Sequence, residues 1–124
     1  MSDPTGRKTI LLVDDNPTSL SIGKDMLKEK YKVFPIVSAK KMFELLENVS
    51  PDLILLDVEM PEMDGFEALE ILKSSSDWSS IPVIVVSGNT CDDCEEKGLA
   101  GGAVAFISKP FSADQIIDCI NKHV

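Results

Sequence analysis

Five short apolar runs, each followed by a helical pattern, recur along this chain and leave few folds open to it. The runs cover residues 10–13, 33–37, 53–56, 83–86 and 104–107. Between them the apolar spacing changes from a strand period to a helical one. Asn16 and Pro17 offer an N-cap and a proline at the first helical position. Leu20, Gly23 and Leu27 then line one face, flanked by Ile22 and Met26. Ser38 caps a second helix with Ala39, Met42, Phe43, Leu46 and Val49 on one side. Asp64-Gly65 opens a third, carrying Phe66, Leu69 and Leu72. A weaker helix is predicted over residues 90–100, and the glycine-rich stretch GLAGGAVAF at its end marks it as the least stable element. Ser112 caps a last helix with Ile116, Ile117 and Ile120 inward.

Strict alternation of strand and helix predicts an α/β fold, (βα)5, with a doubly wound parallel sheet and helices on both faces. Runs one, three and four are continuously apolar, as central parallel strands should be. Pro35 interrupts run two, which suits an edge strand. The strand order 2-1-3-4-5 places that run on an edge.

The chain has 124 residues, near the common size of one domain. Residues 1–7 read as a polar tail and residues 8–124 as the domain. No apolar run approaches the roughly 20 residues of a membrane span, and the polar start MSDPTGRKT lacks the apolar segment of a secretory signal. The net charge is −9 and the pI about 4.4. Such a chain repels phosphate backbones, so no direct nucleic-acid binding is expected, whereas cations and basic surfaces are favoured. Three cysteines, Cys91, Cys94 and Cys119, do not make a disulfide framework and fit a reducing, cytoplasmic setting. Cys91 and Cys94 form one CxxC with no second pair and no nearby histidine, so they are read as small core residues.

In open α/β sheets, sites form at the carboxyl ends of strands, beside the point where the strand order reverses. For the order 2-1-3-4-5 that point lies between strands one and three. Strand one ends in Asp14-Asp15 and strand three in Asp57. Strand four ends in Ser87, and Lys109 follows strand five. Taken singly, an acid at a helix start, a serine in a turn and a surface lysine are ordinary. Together they put three carboxylates, a hydroxyl and an ammonium on one rim. Three carboxylates repel one another unless one is protonated or a cation sits among them. A hard divalent ion with oxygen ligands meets that need, Mg2+ first and Mn2+ as a substitute. Charges of −3, +2 and +1 leave the rim near neutral, so a phosphoryl group can approach. An ionised aspartate needs no base to attack phosphorus. Mg2+, Lys109 and the Ser87 hydroxyl would then hold the equatorial oxygens.

With these residues in view, the chain resembles a response-regulator receiver domain, especially the single-domain chemotaxis type. The resemblance covers residues 8–124 and rests on ILLVDDNP, DLILLDVEMPEMDGFE, PVIVVSG and AFISKPF. It implies the flavodoxin-like fold and a two-component or phosphorelay switch that catalyses only its own phosphorylation and dephosphorylation. It implies Asp57 as phosphoacceptor from the phosphohistidine of a histidine kinase or histidine phosphotransfer protein. Asp14 and Asp15 would serve the Mg2+ site, Asp15 as the direct ligand, with Asp57 and the backbone carbonyl of Glu59 completing it. Ser87 would contact the phosphoryl group, and Lys109-Pro110 would be a cis peptide. Phe106 matches the aromatic switch position that moves with Ser87 and reshapes the face of helix four, strand five and helix five, where a downstream protein or output domain binds. Glu59 and Asn89 stand where relatives tune hydrolysis, and Gly88 replaces a frequent alanine. Two other readings compete: a pseudo-receiver that is never phosphorylated, and a Mg2+-dependent phosphatase with an aspartyl intermediate, of which Asp57-Val58-Glu59 is a weak echo.

Overall fold

The computed structural model describes residues 8–58, 65–88, 94–109 and 111–124. Five strands and five helices alternate: β1 (Lys8–Val13), α1 (Pro17–Leu27), β2 (Tyr31–Ile36), α2 (Ala39–Leu46), β3 (Leu53–Asp57), α3 (Gly65–Ser74), β4 (Val83–Ser87), α4 (Cys94–Ala100), β5 (Ala105–Ser108) and α5 (Ala113–Asn121). All four strand pairings are parallel, and the order is β2-β1-β3-β4-β5. This is the flavodoxin-like doubly wound sheet that the alternation predicts.

Local chemistry explains the helix starts. The Asn16 carboxamide oxygen accepts from the amides of Thr18 and Ser19, and Pro17 occupies the first turn. Ser38 accepts from the Lys41 amide, and Ser112 with Gln115 forms a capping box. Each such cap contributes about 1 kcal/mol. Gly102, at φ 107°, ends α4 in a conformation that other residues adopt only with strain.

The sheet divides the core into two layers. On one face α2 and α3 pack Met42, Leu46, Leu69 and Leu72 against Leu11, Ile54, Leu56 and Val85. On the other, α1 and α5 pack Leu20, Leu27, Ile116 and Ile120 against Ile10, Leu53, Leu55 and Ile84. Strand residues alternate between the layers, and β1, β3 and β4 are buried on both. That is why their runs are unbroken. Pro35 lies exposed on the edge strand β2.

Boundaries moved where pairing decided them. β2 begins at Tyr31, opposite Lys8, and ends at Ile36, leaving Val37 exposed. β5 runs over Ala105–Ser108, with Val104 outside it. α2 stops at Leu46, so Val49 is not on its face, and Ile117 of α5 is only half-buried. The described part of α4 is the shortest helix of the five, seven residues. Among the described residues no helix is long and apolar enough to cross a membrane.

The amino end of the sheet is closed by specific pairs. The Tyr31 hydroxyl bonds the Asn121 carboxamide oxygen at the end of α5. Asp52 accepts from the Thr9 amide at 2.7 Å. Lys73 donates to the carbonyls of Ser79 and Ile81 at 3.1 and 2.8 Å. Phe43 and Trp78 stack with ring centroids 5.4 Å apart.

Candidate functional site

Register brings the acids together. Val13 of β1 is paired with Leu56 of β3, so the next residues, Asp14 and Asp57, emerge side by side. Asp57 in turn stands beside Val86 of β4, one residue before Ser87. Ser87 is paired with Ser108, one residue before Lys109, whose amide donates to the Ser87 carbonyl at 2.8 Å. Four different strands therefore deliver their groups to one rim.

Asp14, Asp57 and Ser87 are buried, at 5, 4 and 1 % exposure, whereas Asp15 is exposed. One carboxylate oxygen from each of Asp14, Asp15 and Asp57 lies within 4.8 Å of the others. The Lys109 ammonium donates to Asp14 Oδ2 at 2.6 Å and to Asp57 Oδ2 at 3.0 Å. Burial pushes that ammonium down, but the hydrogen bonds and charges of Asp14 and Asp57 outweigh it and raise its pKa above the ordinary lysine value. The lysine is thus held charged between two acids. The other oxygen of Asp14 accepts from the Asn16 amide at 2.9 Å. Asn16 also caps α1, so the helix start and the acid share one turn.

The backbone behind Asp57 leaves no room for a side chain at residue 65. A Cβ on Gly65 would lie 2.5 Å from Val58 Cα and 2.6 Å from the Asp57 carbonyl oxygen. The Gly65 amide donates to the Val58 carbonyl at 3.1 Å, which closes this approach. Sequence reasoning used Gly65 only to open α3. It also missed a cavity of about 250 Å³ beside the acids, walled by Leu12, Ile22, Gly23, Met26 and Phe111. Gly23 did not signal it, because the room its missing side chain leaves is filled by Leu12, whose Cδ2 would lie 2.8 Å from an added Cβ.

Phe106 is half-buried on β5 and packs against the α2–α3 layer. Glu59, Asn89, Cys91 and Pro110 lie outside the described residues, so the expected Glu59 ligand and the Lys109-Pro110 cis peptide lie there too. Gly88 is exposed beyond β4.

The described oxygens suit a hard divalent cation: carboxylates from two adjacent strands, close enough to share one ion and open to solvent through Asp15.

Comparison with known proteins agrees with this arrangement. The response regulator receiver domain family matches residues 10–121. The polar-differentiation response regulator DivK of Brucella ovis is 31% identical over 118 residues, covering 94% of this chain and 96% of that protein. A probable cyclic di-GMP phosphodiesterase of Vibrio cholerae is 34% identical over 116 residues, 94% of this chain. The chain spans only 26% of that protein's length. A CheY-like response regulator receiver domain protein from Methanospirillum hungatei superposes with a TM-score of 0.85 at 30% identity, covering 94% of this chain and 92% of that one. By sequence match and by fold, the chain belongs to the response-regulator receiver domains, the signalling modules of two-component systems.

Proposed function

We propose that Asp57 is a phosphoacceptor and that the chain is a phosphorylation-driven switch. The observation that carries this reading is the Lys109 ammonium lying between Asp14 and Asp57, at 2.6 and 3.0 Å, at the ends of buried strands. A carboxylate held ionised by a neighbouring cation is a competent nucleophile. Asp57 attacks the phosphorus of a phosphohistidine on a histidine kinase or histidine phosphotransfer protein. The phosphorus–nitrogen bond breaks, its electron pair leaves with the imidazole, and an acyl phosphate forms on Asp57.

Asp14, Asp15 and Asp57 would hold Mg2+, Asp15 directly, with the Glu59 carbonyl as a further ligand. The ion, when bound, supplies charge neutralisation for the incoming phosphoryl oxygens. Lys109 then exchanges its bond to Asp57 for one to a phosphoryl oxygen, and the Ser87 hydroxyl donates to another. Phosphorylation replaces one negative charge at Asp57 by roughly two. That extra charge draws Ser87 inward, Phe106 follows into the space left, and the α4–β5–α5 face changes shape. A downstream protein or output domain reads this face. The reaction is limited to the chain's own phosphorylation and dephosphorylation, in a cytoplasmic setting.

Incubation with acetyl phosphate and Mg2+ tests the reading. A single acid-stable, base-labile phosphoryl adduct is expected by mass spectrometry, and EDTA should prevent it. No adduct with acetyl phosphate or any phosphohistidine donor would favour a pseudo-receiver. Sustained turnover of a small phosphoester would favour a phosphatase.

A further inference from the structure

We propose that the cavity beside the acids binds a small amphipathic cation, a primary alkylammonium whose head meets Asp14 and Asp57 while its apolar tail fills the cavity. Bound there, it competes with the divalent ion. The consequence for phosphorylation rests on the switch reading above, whereas the binding itself rests on the cavity and its charge.

The cavity lies on the α1–α5 side of the sheet. Leu12 of β1, Leu55 of β3 and Val86 of β4 form its floor, and all three belong to that layer of the core. Ser19, Ile22 and Met26 of α1 and Phe111, just before α5, form its rim. Ser19, Met26 and Phe111 are half-buried, and Ile22 is 51 % exposed, so the cavity is reached from solvent past these side chains. Its volume of about 250 Å³ exceeds the roughly 150 Å³ that accommodates benzene and falls below the roughly 300 Å³ at which sites for drug-sized ligands begin. That size admits a chain of a few carbons and excludes a nucleotide. Apolar walls hold water poorly, so an aliphatic tail gains by entering.

Charge selects the head group. Asp14, Asp57 and Lys109 line the same cavity. Asp15 lies with the other two acids, and Lys109 is the cation paired to Asp14 and Asp57. Three negative charges and one positive leave −2 at this end. An anionic head is repelled there, and a neutral molecule fills the cavity but leaves the acids crowded. A carboxylate accepts up to about four hydrogen bonds, so Asp14 and Asp57 can receive a second ammonium beside Lys109. A cationic head therefore answers the same need as Mg2+, with one charge instead of two, and the two ligands exclude each other because both draw on Asp14 and Asp57. The tail is what the metal ion lacks, and it gives the organic cation its own source of affinity.

Amide spectra of the full chain without Mg2+, titrated with hexylammonium chloride, would test this. Saturable shifts are expected at residues 19–26, 57 and 111, and added Mg2+ should weaken the binding. Butylammonium should bind about fifteenfold more weakly, at about fourfold for each buried methylene. Hexan-1-ol and hexanoate should bind about tenfold more weakly or worse, since neither donates a charged hydrogen bond to the acids. Ser19→Phe, which plugs the rim, should abolish binding and leave Mg2+ affinity unchanged, and Met26→Ala should weaken binding by removing apolar wall. With acetyl phosphate and limiting Mg2+, hexylammonium should slow the Asp57 adduct in the parent and not in Ser19→Phe. Unchanged melting temperatures would establish that the variants fold. Equal binding of hexan-1-ol or hexanoate, equal affinity for both chain lengths, full binding by both variants, insensitivity to Mg2+ or no saturable binding would each overturn the inference. A normal adduct without hexylammonium binding sinks this inference alone. A missing adduct with Mg2+-sensitive hexylammonium binding sinks the switch reading alone.

Discussion

The two ends of the sheet treat their polar groups in opposite ways. At the amino end polar groups are matched to dedicated partners: Tyr31 with Asn121, Asp52 with Thr9, Lys73 with two carbonyls. At the carboxyl end three carboxylates crowd together, and two of them, Asp14 and Asp57, share one lysine. The first arrangement lowers the energy of the folded state. The second leaves like charges crowded, an arrangement relieved by a cation. A fold that spends its polar pairs on stability at one end can keep a reactive cluster at the other. This comparison implies that substitutions at the two ends should separate chemistry from stability.

The largest effect is expected for Asp57→Asn. It should abolish the phosphoryl adduct entirely in the acetyl phosphate assay while the protein stays folded, because removing one of three like charges relieves repulsion. An undiminished adduct would remove Asp57 from its role. Gly65→Ala comes next. Its methyl would collide with the backbone of Asp57 and Val58, so a loss of about 3 kcal/mol in urea unfolding is expected, the upper range for overpacking. It is the rim position where chemistry and stability should fail together.

Lys109→Met should cost about 1.5–3 kcal/mol, because it removes charged hydrogen bonds from two buried acids. Added Mg2+ should restore more stability in this variant than in the parent, by ligand linkage. Thermal melts with and without Mg2+ would measure it. Switching should suffer more than Mg2+ affinity, and a comparable loss of Mg2+ binding would contradict the division of roles.

Tyr31→Phe should cost only about 1 kcal/mol, the net worth of one hydrogen bond. The adduct yield should not change. A reduced yield would break the separation of the two ends.

The smallest effect concerns pH. The folded-state pKa of Lys109 is raised by Asp14 and Asp57. A raised lysine contributes stability that is fully present below its unfolded value, near 10.4, and lost as pH climbs through the folded value. The stability difference between the parent and Lys109→Met should therefore be flat from pH 7 to about 9 and shrink only at higher pH. A decline already between pH 7 and 8 would mean that another group titrates at the rim.

Much of the fold was legible because parallel strands buried on both faces must be apolar throughout, and β1, β3 and β4 are. Helix starts were legible because Asn16, Ser38 and Ser112 cap through their own side chains. Strand ends were less so. Tyr31 and Lys32 join β2 because Lys8 and Thr9 lie opposite, and no local pattern records that. The acids at the site were legible because strand order places them. The closure of Gly65 on Asp57 was not, since it depends on a contact between separate elements.

Composition, periodicity and caps are properties of neighbours in the chain, and they determined the alternating strands and helices, the switch-point rim and its candidate residues. Register, close approach and the sharing of Lys109 between Asp14 and Asp57 are properties of neighbours in space. These were decided only when four strands stood side by side, because a distance between residues dozens of positions apart is written in the packing and not in the order of the amino acids.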